Sequence, residues 1–193
     1  MHYSIRFERS CAASPEIVYD LLIDVLRWPD WLPGVRSAVW EEAGTRGGTR
    51  EGAICRIVIS GLTMREKILI DDGPHHHAYR IVSGIPVTHH RADVHINERA
   101  GGSLIVWQAT FRSRIPFAGP LIWLMLRTSM PRMATALATG AEQADQRHAR
   151  KSRVRSPPER YSDWQSVAAL TGATPSCHPG YAPVVAATTD NAG

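Results

Sequence analysis

Two side chains capable of proton transfer stand where the sequence pattern turns them away from water. In residues 62–71, Met64, Glu66, Ile68 and Ile70 alternate with Thr63, Arg65 and Lys67, the period-2 pattern of a half-buried strand. Glu66 therefore falls in an apolar row, where a carboxylate must be paired, solvated in a wet cavity or protonated through a raised pKa. In residues 89–98, His90, Ala92, Val94 and Ile96 form the apolar row and His89, Arg91, Asp93 and His95 the polar one, so His90 is the inward imidazole. Tyr79 and Ile81 face in from 77–83, as do Trp107, Ala109 and Phe111 from 103–112. Glu66, Tyr79, His90 and Trp107 can then share a cavity wall offering two proton-transfer groups, a phenol donor and a flat apolar surface. His90, Glu66 and Tyr79 are the catalytic candidates. A competing reading pairs Glu66 with Arg80 or Arg56 and leaves His90 hydrogen-bonded at a cavity mouth.

Other reactive residue types carry weaker patterns. The chain has 9 histidines, including the run His75-His76-His77, but adjacent strand residues point to opposite faces and no HExxH spacing occurs. These histidines read as a polar cluster beside a turn, and no metal or other cofactor is expected. Gly44-Thr45-Arg46-Gly47-Gly48-Thr49 lacks the GxxxxGK[ST] pattern and precedes no helix, so it reads as a flexible loop. Cys55 alternates with Ile57 and Ile59 and belongs to the core.

The elements that hold these residues follow from periodicity. Tyr3, Ile5 and Phe7 alternate with polar neighbours as a first strand. Ser14 is placed as an N-cap with Pro15 at the first helical position, and Val18, Leu21, Leu22, Val25 and Leu26 give a helical stripe. Trp28-Pro29-Asp30-Trp31-Leu32-Pro33-Gly34 predicts a short second helix or tight turn. Strands are then expected at 35–42, 52–60, 62–71, 77–83, 89–98 and 103–112, at the spacing of an antiparallel meander. Leu126, Met130, Met133, Leu137, Ala141 and Ala144 predict a long helix over 120–147, kinked or restarted at Pro131.

Composition excludes several classes. The 193 residues carry 22 basic and 18 acidic side chains, and the one basic cluster, Arg147 to Arg155, has no interleaved aromatics, so no nucleic-acid partner is expected. No apolar run reaches the ~18 residues of a membrane span. Arg6, Glu8 and Arg9 interrupt what a signal peptide would need, and Cys11, Cys55 and Cys177 are odd and scattered, which predicts a reduced, cytoplasmic protein. Ile115 to Leu126 is more apolar than one buried stripe requires. It fits a lid, a homodimer contact, a transient membrane-surface foot or the doubly buried start of the long helix. Beyond residue 148 a basic linker leads into a mostly disordered tail, with a short helix at 162–171 containing Trp164.

The segment from Ser14 to Trp40, with Asp24 before Trp28-Pro29-Asp30-Trp31-Leu32-Pro33, and the strand Ser103 to Phe111 ahead of an apolar helix resemble the START-like or SRPBCC superfamily, in its polyketide cyclase/dehydrase and coenzyme Q-binding branch. The resemblance covers residues 1–148. It implies an α+β helix-grip fold: a curved antiparallel sheet of about seven strands wrapped around a long C-terminal helix, with two short helices after the first strand. It further implies a cavity for a bulky hydrophobic molecule such as a lipid, quinone or polyketide, which some members convert and many only bind. With the long helix across the concave face, the ligand-binding candidates are Met64, Ile68, Tyr79, Ile81, His90, Val94, Trp107, Phe111, Met130, Met133 and Leu137. Three functions remain open: a carrier, a cyclase or dehydratase using His90 or Glu66 as acid or base, and a regulatory protein acting through its tail. Trp28 and Trp31 are expected to plug the base of the sheet.

Overall fold

A computed structural model describes residues 1–44 and 50–155. The chain runs β1 (His2–Cys11), α1 (Pro15–Ile23), a 3-10 turn (Val25–Arg27), α2 (Trp28–Trp31), β2 (Val35–Glu42), β3 (Ile54–Ile59), β4 (Leu62–Asp72), β5 (His76–Ser83), β6 (Val87–Arg99), β7 (Gly102–Ser113) and α3 (Gly119–Arg155). The strands form one curved antiparallel sheet in the order β1-β7-β6-β5-β4-β3-β2. This is the helix-grip architecture that the order of elements implied. Residues Met1–Arg153 make one compact unit.

The main core lies between the concave face and α3. Val94, Ile96, Ile105 and Phe111 on the sheet and Ala134, Leu137, Ala138 and Ala141 on α3 are almost wholly buried. Removing each large aliphatic or aromatic side chain from water contributes roughly 1.5–3 kcal/mol. The alanines hold no bulk between helix and sheet, so α3 can sit close to the strands in that stretch. Toward its N-terminus the helix carries methionine and leucine instead.

A second cluster closes the other end of the sheet, where Val25, Trp28, Leu32, Val35, Ala38, Cys55 and Ile57 pack together. Trp28 is buried and its indole N–H donates to the Leu22 carbonyl at 2.9 Å. Trp31 differs from the expected plug: it is only half-buried, packs against both clusters, and its indole N–H makes no hydrogen bond.

Three local expectations are revised. Ser14 takes the N-cap position of α1 but makes no cap hydrogen bond. It bonds instead with the side chain of Glu16, whose carboxyl is held below its ordinary pKa. Pro131 neither ends nor restarts the long helix, which continues through it. Before it the hydroxyls of Thr128 and Ser129 donate to the carbonyls of Leu124, Met125 and Leu126 one turn back. The helix also runs past residue 147 to Arg155, so residues 149–155 of the expected linker are helical. The loop residues 45–49, the expected helix at 162–171, Trp164 and Cys177 lie outside the described residues.

Candidate functional site

Two β-bulges aim the polar side chains inward. On β6 the register to β7 passes from Thr88↔Arg112 to Arg91↔Thr110, so one extra residue is accommodated at His89 and His90, and His89 takes the left-handed conformation at φ 50. The extra residue breaks the ladder locally. Pairing between β5 and β6 covers only His76 to Tyr79 against Ala92 to His95. Beyond it the Ile81 backbone N–H donates to His90 Nδ1 at 3.1 Å, so an imidazole takes the place of a strand carbonyl. That bond assigns the proton of the neutral ring to Nε2. Burial lowers the His90 pKa to about 4, so the ring is uncharged at neutral pH.

Glu66 sits on β4 opposite Cys55 of β3 and is 6% exposed. Among the described residues no group hydrogen-bonds its carboxyl. The pairing with Arg56 or Arg80 does not form: Arg56 bonds Glu41 at 2.8 Å, and Arg80 is exposed. Burial pushes the Glu66 pKa up to about 8, which leaves a neutral carboxylic acid at pH 7. Tyr79, on the strand next to that of His90, meets the imidazole obliquely at a ring separation of 6.0 Å and Trp107 edge-on at 6.4 Å. Burial, followed by the nearby Glu66, raises its phenol well above the usual value.

These groups face one cavity of about 220 Å³ between the sheet and the first half of α3. Of the expected ligand residues, Met64, Tyr79, Ile81, His90, Met130 and Met133 line it together with Glu66. Ile68, Val94, Trp107, Phe111 and Leu137 do not. They pack solidly in the core, because the alanine-rich half of α3 closes on the sheet there. The lining also includes Ile59, Ser60, Leu62, Ile85, Met125, Leu126 and Ser129. The sequence reading missed these because they come from hairpin ends and from a helix segment whose burial depends on where α3 crosses the sheet. Leu62 and Met125, 47% and 40% exposed, mark the mouth. His90 and Ile81 also line a second hollow, with Arg80 and Arg114.

A second buried polar group was not anticipated. The register between Ile68↔Tyr79 and Ile70↔Ala78 places an extra residue on β4 at Leu69, after which Asp71 rather than Ile70 carries the buried side chain. The Tyr19 hydroxyl donates to Asp71 Oδ1 at 2.6 Å and the Arg50 backbone N–H to Oδ2 at 2.9 Å. Burial acts to raise the Asp71 pKa, but these bonds outweigh it and hold the carboxyl below its usual range. His77, opposite Asp71, is not part of a surface cluster as expected. It is 5% exposed, its Nδ1 has no hydrogen bond, and burial lowers its pKa to about 4.

On the outer face His76, Asp93 and His95 bring three metal-capable atoms within 4.8 Å of one another. The cross-strand register His76↔His95 creates this cluster, which linear spacing could not show. The Asp93 carboxylate there already accepts two bonds from Arg91 and one from His76. Cys55 is fully buried, and burial raises its thiol to about 12, which makes it inert as a nucleophile at neutral pH. A wider groove of about 550 Å³ beside Trp31 and Pro131 has only the exposed Asp30, Arg132 and Gln143 as charged or amide groups.

A sheet gripping a long helix around a small polar-tipped cavity defines a START-like protein, and solved structures share that fold. The aromatase/cyclase Zhui from Streptomyces sp. R1128 superposes with a TM-score of 0.64 at 17% identity, over 74% of this chain and 95% of that one. A START superfamily protein from Mycobacterium smegmatis gives 0.61 at 18% identity, over 74% and 98%. Norcoclaurine synthase from Thalictrum flavum gives 0.57 at 19% identity, over 75% and 97%. No curated protein matches the sequence significantly. The chain belongs to the polyketide cyclase / dehydrase and lipid transport family, whose profile matches residues 2–145.

Proposed function

We propose that the protein binds an uncharged, carbonyl-bearing hydrophobic molecule, such as a quinone, a polyketide or a lipid with a ring-sized head, and acts as its carrier in the cytoplasm. One observation carries this reading: Glu66, His90 and Tyr79, the titratable side chains that line the cavity, are all neutral at pH 7. The carboxylic acid, the His90 Nε2–H and the phenol are hydrogen-bond donors, which suit ketone or quinone oxygens, while the absence of a lysine or arginine among the described lining residues disfavours a carboxylate, whose charge would be buried unpaired. The volume supports a molecule of one or two rings. It exceeds the ~150 Å³ that admits benzene and falls short of the ~300 Å³ at which drug-sized pockets begin. A longer chain would leave between Leu62 and Met125. Two buried free thiols, Cys11 and Cys55, are compatible with a reducing compartment. Native mass spectrometry of the purified full-length chain tests the proposal. A co-purifying neutral carbonyl compound that is lost on Met133→Trp supports it, whereas a bound organic acid or cation contradicts it.

A second reading, a cyclase or dehydratase, is favoured by one feature, a protonated carboxyl facing the cavity. Glu66 would donate its proton to the departing hydroxyl of a β-hydroxyketone, giving water and an enone after loss of the α-proton to the carboxylate so formed. His90 would orient the ketone oxygen rather than act as base, since its Nδ1 lone pair is engaged by Ile81. Conversion of such a ketone by wild type and not by Glu66→Gln would establish this reading. Absence of conversion alongside tight binding leaves the carrier. The third function, regulation through the tail, rests on residues largely outside those described.

A further inference from the structure

Exposed apolar side chains run from the loop before α3 onto its first turns and end at the cavity mouth. Phe117 is 99% exposed, Leu121 71%, Leu124 52% and Ile115 51%; Ile115 and Phe117 line a hollow beside Tyr3, and Leu124 directly precedes the mouth residue Met125. Leu121, Leu124 and Met125 stand at i, i+3 and i+4 on α3 and so share one helix face. Phe117 is held at φ 63, a left-handed conformation that a bulky residue adopts at a cost, with its ring outside the protein. Met125 and Leu126 line the cavity, while the face that carries Phe117, Leu121 and Leu124 is exposed, so the segment is not buried on both sides.

The charged residues that flank this segment in the chain have one sign. Between Glu98 and Glu142 the sequence contains no acidic residue, while Arg112 and Arg114 before the segment and Arg127 after it are exposed. Arg127 lies over the Trp123 ring at 4.9 Å, and the indole N–H donates to the Ser4 carbonyl. An amphipathic indole and a guanidinium thus stand beside the protruding leucines. No helix among the described residues is long and apolar enough to cross a membrane. A short apolar face rimmed by arginines instead matches a segment that lies in the interface of an anionic bilayer. A second copy fits less well, because an isologous contact would bring two patches flanked by the same positive charge together.

We infer that Ile115–Met125 docks on an anionic phospholipid surface and presents the cavity mouth to the bilayer. A hydrophobic ligand would then pass between lipid and cavity without crossing water. This purpose rests on the carrier reading, but the docking does not.

The test is flotation of the full-length chain with vesicles of phosphatidylcholine alone or with about one third phosphatidylglycerol. Binding to the anionic vesicles and at least ~10-fold weaker binding to the neutral ones is expected, with loss at high salt. Leu121→Glu with Leu124→Glu should abolish flotation while leaving the melting temperature and cavity binding of 2-acetylnaphthalene in solution unchanged. Arg114→Gln and Arg127→Gln should each weaken it about fivefold. Equal binding to neutral vesicles, or none to either, overturns the inference. So does a micromolar dimer in sedimentation equilibrium that the same leucine substitutions dissolve, which would assign the face to a second copy. If vesicles bind but 2-acetylnaphthalene does not, the cavity reading fails and the docking surface stands.

Discussion

Glu66→Gln separates a protonated buried acid from a paired one. In the unfolded chain the carboxyl ionises near its ordinary value of 4.5, and in the folded protein near 8. Between these values the unfolded state binds fewer protons, so stability falls as pH rises, and the loss is complete above about pH 8. At ~1.4 kcal/mol per pH unit the full effect is on the order of 5 kcal/mol, less if water enters the cavity beside the carboxylate. Glutamine keeps the shape and neutrality of the protonated acid and cannot ionise. Urea unfolding of wild type and variant at pH 5, 7 and 9 isolates this group, since the other titrations cancel in the difference. The two proteins should agree within ~1 kcal/mol at pH 5, and the variant should be several kcal/mol more stable at pH 9. A difference independent of pH, or a variant destabilised throughout, would refute the assignment and indicate a paired carboxylate.

The two buried histidines titrate in the opposite sense. His77 and His90 both have folded pKa values of about 4 against 6.5, so stability should fall as pH drops from 6.5 to 4, by up to ~3 kcal/mol each, and His77→Asn should remove part of the slope in acid unfolding. Met133→Trp should fill the cavity and weaken ligand binding at least ~10-fold with little change in urea midpoint, whereas Leu137→Trp should overpack the closed half of the core and cost ~1–3 kcal/mol or more. Trp28→Ala should cost ~3–5 kcal/mol, and Trp31→Ala measurably less because that indole is half-buried, as thermal unfolding of both would show.

Much of the architecture was legible because its signals are periodic. The alternation in β4 and β6 and the stripe on α3 are consequences of strand and helix geometry, and they marked Glu66, His90 and Met130 as inward. The bulges at His89 and Leu69 were hidden, since an inserted residue leaves the composition of a strand unchanged while reversing which side chain faces in. Asp71 was accordingly not marked as a buried residue, and His77 was read with its neighbours as a polar cluster beside a turn although it alternates in step with Tyr79 and Ile81. The cavity's extent was also hidden. Ile68, Val94 and Trp107 have the same inward pattern as Ile81 and Met64, and only the crossing of α3, close over its alanines and more open over its methionines, decides which row is packed and which lines a void. Arg56 was a reasonable partner for Glu66 by proximity, but adjacent strand positions alternate in face, and Arg56 lies with Arg65 on the side of Glu41.

The neutrality of the cavity's donors is tested most directly by two ligands with one ring system and different charge. In calorimetric titrations at pH 7, 2-acetylnaphthalene should bind wild type at micromolar concentration, and 2-naphthoate at least ~10-fold more weakly, because its carboxylate would bring a charge into a desolvated site with no cation. Raising the pH to 9 should weaken binding of the ketone in wild type and not in Glu66→Gln. Preferential binding of 2-naphthoate, or ketone affinity that is the same at both pH values in wild type, would contradict the account.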